Sequence, residues 1–129
     1  MRNKLAFSFA LASALLLLAG PVFAHHGRSG YDNSKTLTLK ATITEFEWSN
    51  PHVQIHFDAP DDKGVMQRWA VEWGSGMMLS TQGLSATTLK AGDHVIVVGS
   101  PGRDPDDHRL RMRSIERPKD GFKWNGTFQ

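Results

Sequence analysis

Histidines and carboxylates set the chemistry open to this chain. Six histidines and 13 acidic side chains occur among 129 residues, with no cysteine. Any metal site must therefore be built from nitrogen and oxygen donors rather than thiolates, which suits borderline ions such as Cu(II), Ni(II) and Zn(II). His25 and His26 stand side by side directly after Ala24. Cleavage after Ala24 would leave a free α-amine on His25, and that amine can chelate one ion together with the same residue's imidazole. An α-amine titrates near pH ~7.7–8.0 and an imidazole near ~6.5, so both are metal-ready close to neutrality. This is the arrangement of a histidine-brace copper site, which makes copper the expected ion.

A second group of donors lies in Glu45-Phe46-Glu47-Trp48-Ser49-Asn50-Pro51-His52-Val53-Gln54-Ile55-His56-Phe57. Asn50-Pro51 is a turn signal, because proline removes a backbone donor and restricts the residue before it. Phe46 and Trp48 share parity on one side of the turn, as do Val53, Ile55 and Phe57 on the other. Folding these apolar sets together places Glu45, Glu47, His52, Gln54 and His56 on the opposite face. His52 and His56 are about 13 Å apart along a regular strand, too far to share one ion. The expected pairings across the hairpin are His52 with Glu47, or His56 with Glu45. The competing expectation is a solvated strand face of ordinary cross-strand pairs.

The elements that would position these residues are read in chain order. Arg2 and Lys4 precede an apolar run from Leu5 to Ala19, and Gly20-Pro21-Val22-Phe23-Ala24 follows. That is the pattern of an export signal with a small-residue cleavage site, shorter than the ~20 residues of a membrane span. Residues 1–24 are thus read as a signal peptide, and the expected location is the periplasm or the exterior, with no membrane anchor after processing. Removing Arg2 and Lys4 from the 15 basic side chains leaves 13 against 13 acidic ones. A formally neutral exported domain lacks the positive field that phosphate binding requires, so no nucleic-acid partner is expected.

Residues 25–35 form a polar, glycine-bearing arm. From Thr36 a period-two pattern begins, with Leu37, Leu39, Ala41 and Ile43 on one face, and the apolar parity changes at Phe46. A phase change inside one strand implies a bulge or strong bend. Further strands are expected over His52–Asp58, Val65–Trp73, His94–Gly99 and His108–Glu116. A short helix capped by Ser75 is expected through Met77, Met78 and Leu79. Val95 to Val98 is apolar on both faces, which marks a central strand. Three strands, a helix and two strands is the order of an OB-like five-stranded β-barrel over residues 36–116, with a β-sandwich as the competing architecture. Residues 117–129 form an aromatic tail.

Ala24-His25-His26, Glu45-Phe46-Glu47-Trp48-Ser49-Asn50-Pro51-His52, Trp69-Ala70-Val71-Glu72 and Thr88-Leu89-Lys90-Ala91-Gly92-Asp93 together resemble an uncharacterised family of small exported bacterial proteins, a domain of unknown function. The resemblance spans nearly all of the chain after the signal. It implies an OB-like periplasmic domain and no activity.

Other residues carry weaker chemistry. Trp48, Trp69 and Trp73 are expected in the core rather than around a ligand. Arg109, Arg111 and Arg113 are expected to be a solvated outer stripe. Met77 and Met78 have the sulfur chemistry of Cu(I) ligands, but are expected to fill gaps in the core. There is no G-x-S-x-G elbow, no H-E-x-x-H and no glycine-rich phosphate loop after a strand, so no enzyme is expected. A copper monooxygenase built on a histidine brace is the weakest of three readings. The first is a small periplasmic binding protein for copper or another transition metal through His25, with His26, His52, His56 and Glu47 as further ligands. The second is a module that binds an envelope protein.

Overall fold

The computed structural model describes residues 30–126. Strand β1 (Leu37–Glu47) is followed by β2 (Gln54–Pro60), β3 (Met66–Glu72), helix α1 (Gly76–Ser80), β4 (His94–Pro101), a single 3-10 turn at Pro105–Asp107, β5 (Arg109–Arg117) and β6 (Phe122–Asn125). The sheet order is β3-β2-β1-β4-β5-β6. A parallel pairing of Ala70–Glu72 with Arg109–Arg111 joins β3 to β5 and closes the first five strands into a barrel. This is the OB-like architecture expected from the element order. Closure removes two of the open edges that a flat sheet would leave to water.

Alternation along each strand fills the barrel. Val53, Ile55, Phe57 and Ala59 from the β2 segment, Trp69 and Val71 from β3, Trp73 just after it, and Leu110, Met112 and Ile115 from β5 are all buried. β4 lies between β1 and β5, as its two apolar faces require, and Val95 and Val97 point inward. Ser75 caps α1 by accepting from the Met78 amide at 3.0 Å, which satisfies one of the helix's orphan donors. Gly76 opens the helix against Trp48, where a Cβ would stand 2.9 Å from the indole Nε1. Only glycine lets the helix start that close to β1.

The aromatic tail does not stay outside the barrel. Phe122–Asn125 pairs with β5 as a sixth strand, and Trp124 is buried edge-to-face on Trp73 with ring centroids 5.0 Å apart. The turn leading into β6 is pinned by Arg117, which bonds Asp93 at 2.7 Å and Asp120 at 2.8 Å. Asp93 is buried and also accepts from Lys90 Nζ at 2.8 Å. Burial pulls its carboxyl upward, but the hydrogen bonds from Lys90 and Arg117 outweigh this and bring it down to about 2.

Candidate metal centre

The bulge in β1 decides which way its carboxylates point. Ile43 faces Phe57 in the ladder, yet the next pair is Glu45 with His56, so Thr44 is an extra residue on β1. Ala41 and Ile43 are buried before the shift, and Phe46 is half-buried on the same inner side after it. A regular strand would have carried Glu45 and Glu47 inward in the series of Ala41 and Ile43. The one-residue insertion turns both outward instead.

On that outer wall Glu45 lies opposite His56, and Glu47 opposite Gln54. Glu45, Glu47 and His56 each bring one ligand atom within 4.8 Å of the other two. The two glutamates are exposed and His56 is half-buried. Among the described residues, none of the three side chains forms a hydrogen bond or an ion pair with another group. Two carboxylates thus stand close together, where their like charges repel. One nitrogen and two oxygens form a donor set that a borderline divalent ion accepts, and rotation of exposed side chains can draw the atoms to coordination distance.

His52 takes a different place from the one its spacing suggested. It precedes the β2 ladder, and its ring turns away from Glu47 toward β3. Its Nδ1 lies 3.1 Å from the Trp73 carbonyl, and its Nε2 lies 3.3 Å from Glu72 Oε1. The turn before it is held by the Ser49 hydroxyl, which donates to the His52 carbonyl at 2.5 Å, and it contains a cis Asn50-Pro51 bond. His25 and His26 lie outside the described residues.

Two residues in this neighbourhood escaped the sequence reading. Glu72 appeared only within the Trp69-Ala70-Val71-Glu72 motif, and Tyr31 only within the arm of residues 25–35. Tyr31 is in fact buried, and its hydroxyl donates to Glu72 Oε2 at 2.8 Å. Burial and the neighbouring Glu72 push the phenol far above its ordinary value, so it remains a donor. The usable signal was a single tyrosine in an otherwise polar arm.

The arginine stripe is no solvated face. Arg109 stacks over the Tyr31 ring at 5.4 Å. Arg113 donates to Ser100 Oγ at 2.9 Å, Thr36 Oγ1 at 2.9 Å and the Asn33 carbonyl at 2.7 Å. Together they strap the arm across β5, and an isolated bridge pairs Tyr31 with Gly102. A strand pattern alone shows that these arginines point outward, but not that a preceding segment covers them.

The methionine expectation also fails. Met77 is 72% and Met78 36% exposed, because Leu79 is the side chain that α1 buries. Trp69 and Trp73 are core residues as expected, while Trp48 is only half-buried, edge-on to Phe46.

Among solved structures, the crystal structure of the mitochondrial single-stranded DNA-binding protein of S. cerevisiae matches at 12% identity and a TM-score of 0.44. The match covers 71% of this chain and 97% of that one. No curated protein matches the chain. A family model matches residues 12–111, through the bulged β1 wall and into the start of β5, and the chain accordingly belongs to DUF6152, a family of unknown function.

Proposed function

We propose that this is a small exported metal-binding protein that holds a borderline divalent ion, copper foremost, on the outer wall made by β1 and β2. The observation that carries the reading is the Glu45–Glu47–His56 cluster, with three ligand atoms mutually within 4.8 Å and, among the described residues, no competing partner. The leader-like pattern at residues 1–24 supports export. The arm supplies the remaining donors. It is tied at Tyr31 to Glu72, and Glu72 lies in the same cross-strand row as Gln54 and Glu47. His25 stands six residues before Tyr31, a length of chain that spans at most about 20 Å when extended. That length allows the His25 amine and imidazole, or His26, to approach the same wall.

Calorimetric titration of Cu(II) into the chain beginning at His25, with EPR of the loaded protein, tests the reading. One-to-one binding that Glu47→Gln and His56→Ala each weaken at least tenfold is the expected result. An extra methionine before His25 is expected to remove the amine contribution and leave the weaker wall site. Binding indifferent to all three changes would overturn the proposal.

A second reading is an interaction module for an envelope protein. The observation favouring it is Met77, 72% exposed, beside the half-buried Trp48 at the start of α1. A partner bound this way would be lost on Met77→Lys and kept in the metal-wall variants.

A further inference from the structure

His52 and Glu72 meet in a geometry that suits a pair of metal ligands as well as an ion pair. A carbonyl oxygen only accepts, so the 3.1 Å contact to Trp73 puts a hydrogen on His52 Nδ1. In the neutral ring the lone pair is then on Nε2, and Nε2 faces Glu72 Oε1 at 3.3 Å. The other carboxylate oxygen, Oε2, is occupied by the Tyr31 hydroxyl at 2.8 Å. Two acceptors are thus turned toward each other. Protonating the ring would make an ion pair of the length that Lys123 and Glu116 also show, 3.3 Å. Ligands on a tetrahedral ion with bonds of about 2.0–2.1 Å stand roughly 3.3–3.4 Å apart as well. The observed separation fits one edge of a coordination polyhedron, and the groups behind the two side chains favour that use.

The far ends of both groups are held as metal ligands are held elsewhere. An imidazole that binds through one nitrogen donates its other N–H to a carbonyl, and a ligating carboxylate has its second oxygen hydrogen-bonded. Trp73 and Tyr31 fill these two roles here. The His52 and Glu72 side chains are 51% and 33% exposed, so water can complete the shell.

We propose that His52 Nε2 and Glu72 Oε1 form a second divalent-cation site, for a borderline ion such as Zn(II), separate from the Glu45–Glu47–His56 wall and positioned by Tyr31. It does not depend on the first site. Tyr31 touches no ion and acts through Glu72. Because Tyr31 belongs to the arm, occupancy of this site fastens the arm to the end of β3. With only two protein ligands and open positions, the site exchanges its ion readily.

Zinc titration of protein expressed from the full chain, followed by two-dimensional NMR of the histidine ring nitrogens, tests this. The expected result is a large shift of His52 Nε2 on adding Zn(II), with Nδ1 remaining protonated, and persistence of that shift in His56→Ala. Glu72→Gln should lower affinity at this site at least tenfold while leaving the His56 response intact. Tyr31→Phe should cost about tenfold with an unchanged circular dichroism spectrum, in the range seen when a group behind a ligand is removed. A His52 ring unmoved by saturating Zn(II) would overturn the proposal and leave an ion pair. The fate of the first site is read separately, from His56.

Discussion

Two carboxylate clusters on this small barrel have opposite fates. At one corner Asp93 is buried and receives hydrogen bonds from Lys90 and Arg117, and Arg117 also binds Asp120 at the turn into β6. Every charge there has a partner. On the β1–β2 wall Glu45 and Glu47 are exposed beside His56 and have none among the described residues. A saturated buried carboxylate is committed to holding elements together. An unsaturated cluster contributes little to folding and is available to a ligand from outside. The same residue types therefore serve structure at one place and remain open to binding at the other.

The contrast can be broken most directly at Asp93. Asp93→Asn leaves Arg117 and Lys90 without their carboxylate and should cost about 2–3 kcal/mol in urea or thermal unfolding. Cation affinity should be untouched. A loss below about 0.5 kcal/mol would remove the structural half of the comparison.

Acid should reveal the same group in the unaltered protein. In the fold its carboxyl is lowered to about 2 from an ordinary value of 3.8. Its contribution is therefore fully present above about pH 4 and disappears as pH falls through about 2. The loss is about 2 kcal/mol, because a carboxyl lowered by one pH unit stabilises the fold by about 1.36 kcal/mol. The acid-unfolding curve of Asp93→Asn should lack this component. Identical slopes for the two proteins would contradict the assignment.

Smaller effects are expected on the wall. Glu45→Gln and Glu47→Gln should change stability by no more than about 0.5 kcal/mol, with relief of like-charge repulsion favouring the variants. Cation binding should nonetheless fall sharply in the same proteins. Destabilisation beyond about 1 kcal/mol would mean that the glutamates hold the bulge in place. Met77→Gln should be the mildest change, within about 0.5 kcal/mol, because the side chain is largely solvated. Its melting temperature provides the baseline for the other variants.

Much of the barrel was legible because β-strands advertise themselves by alternation. Val53, Ile55 and Phe57, or Leu110 and Met112, can only be buried together on one face of a strand. The phase change at Phe46 announced the bulge, and with it the outward turn of Glu45 and Glu47. Ser75 and the methionines after it announced α1, although not which of its side chains would be buried. A helix of five residues, Gly76–Ser80, is too short for its periodicity to choose a face.

Contacts between segments distant in sequence stayed hidden. Tyr31 meets Glu72 across 41 positions, and Arg113 meets Thr36 across 77. Trp124 enters the core from a tail whose pattern is only four residues long. His52 was placed with Glu47 by hairpin spacing, yet the ladder begins only at Gln54, which leaves its ring free to turn toward β3.

Local pattern by itself determined the strand faces, the bulge and the pairing of Glu45 with His56, because those follow from period two and a single turn. Tertiary pairing decided the rest. The β2–β3 ladder set Glu72 beside His52, the arm came to lie under Arg109 and Arg113, and β6 joined β5. Such contacts depend on where the barrel brings remote strands together, and no spacing along the chain encodes that.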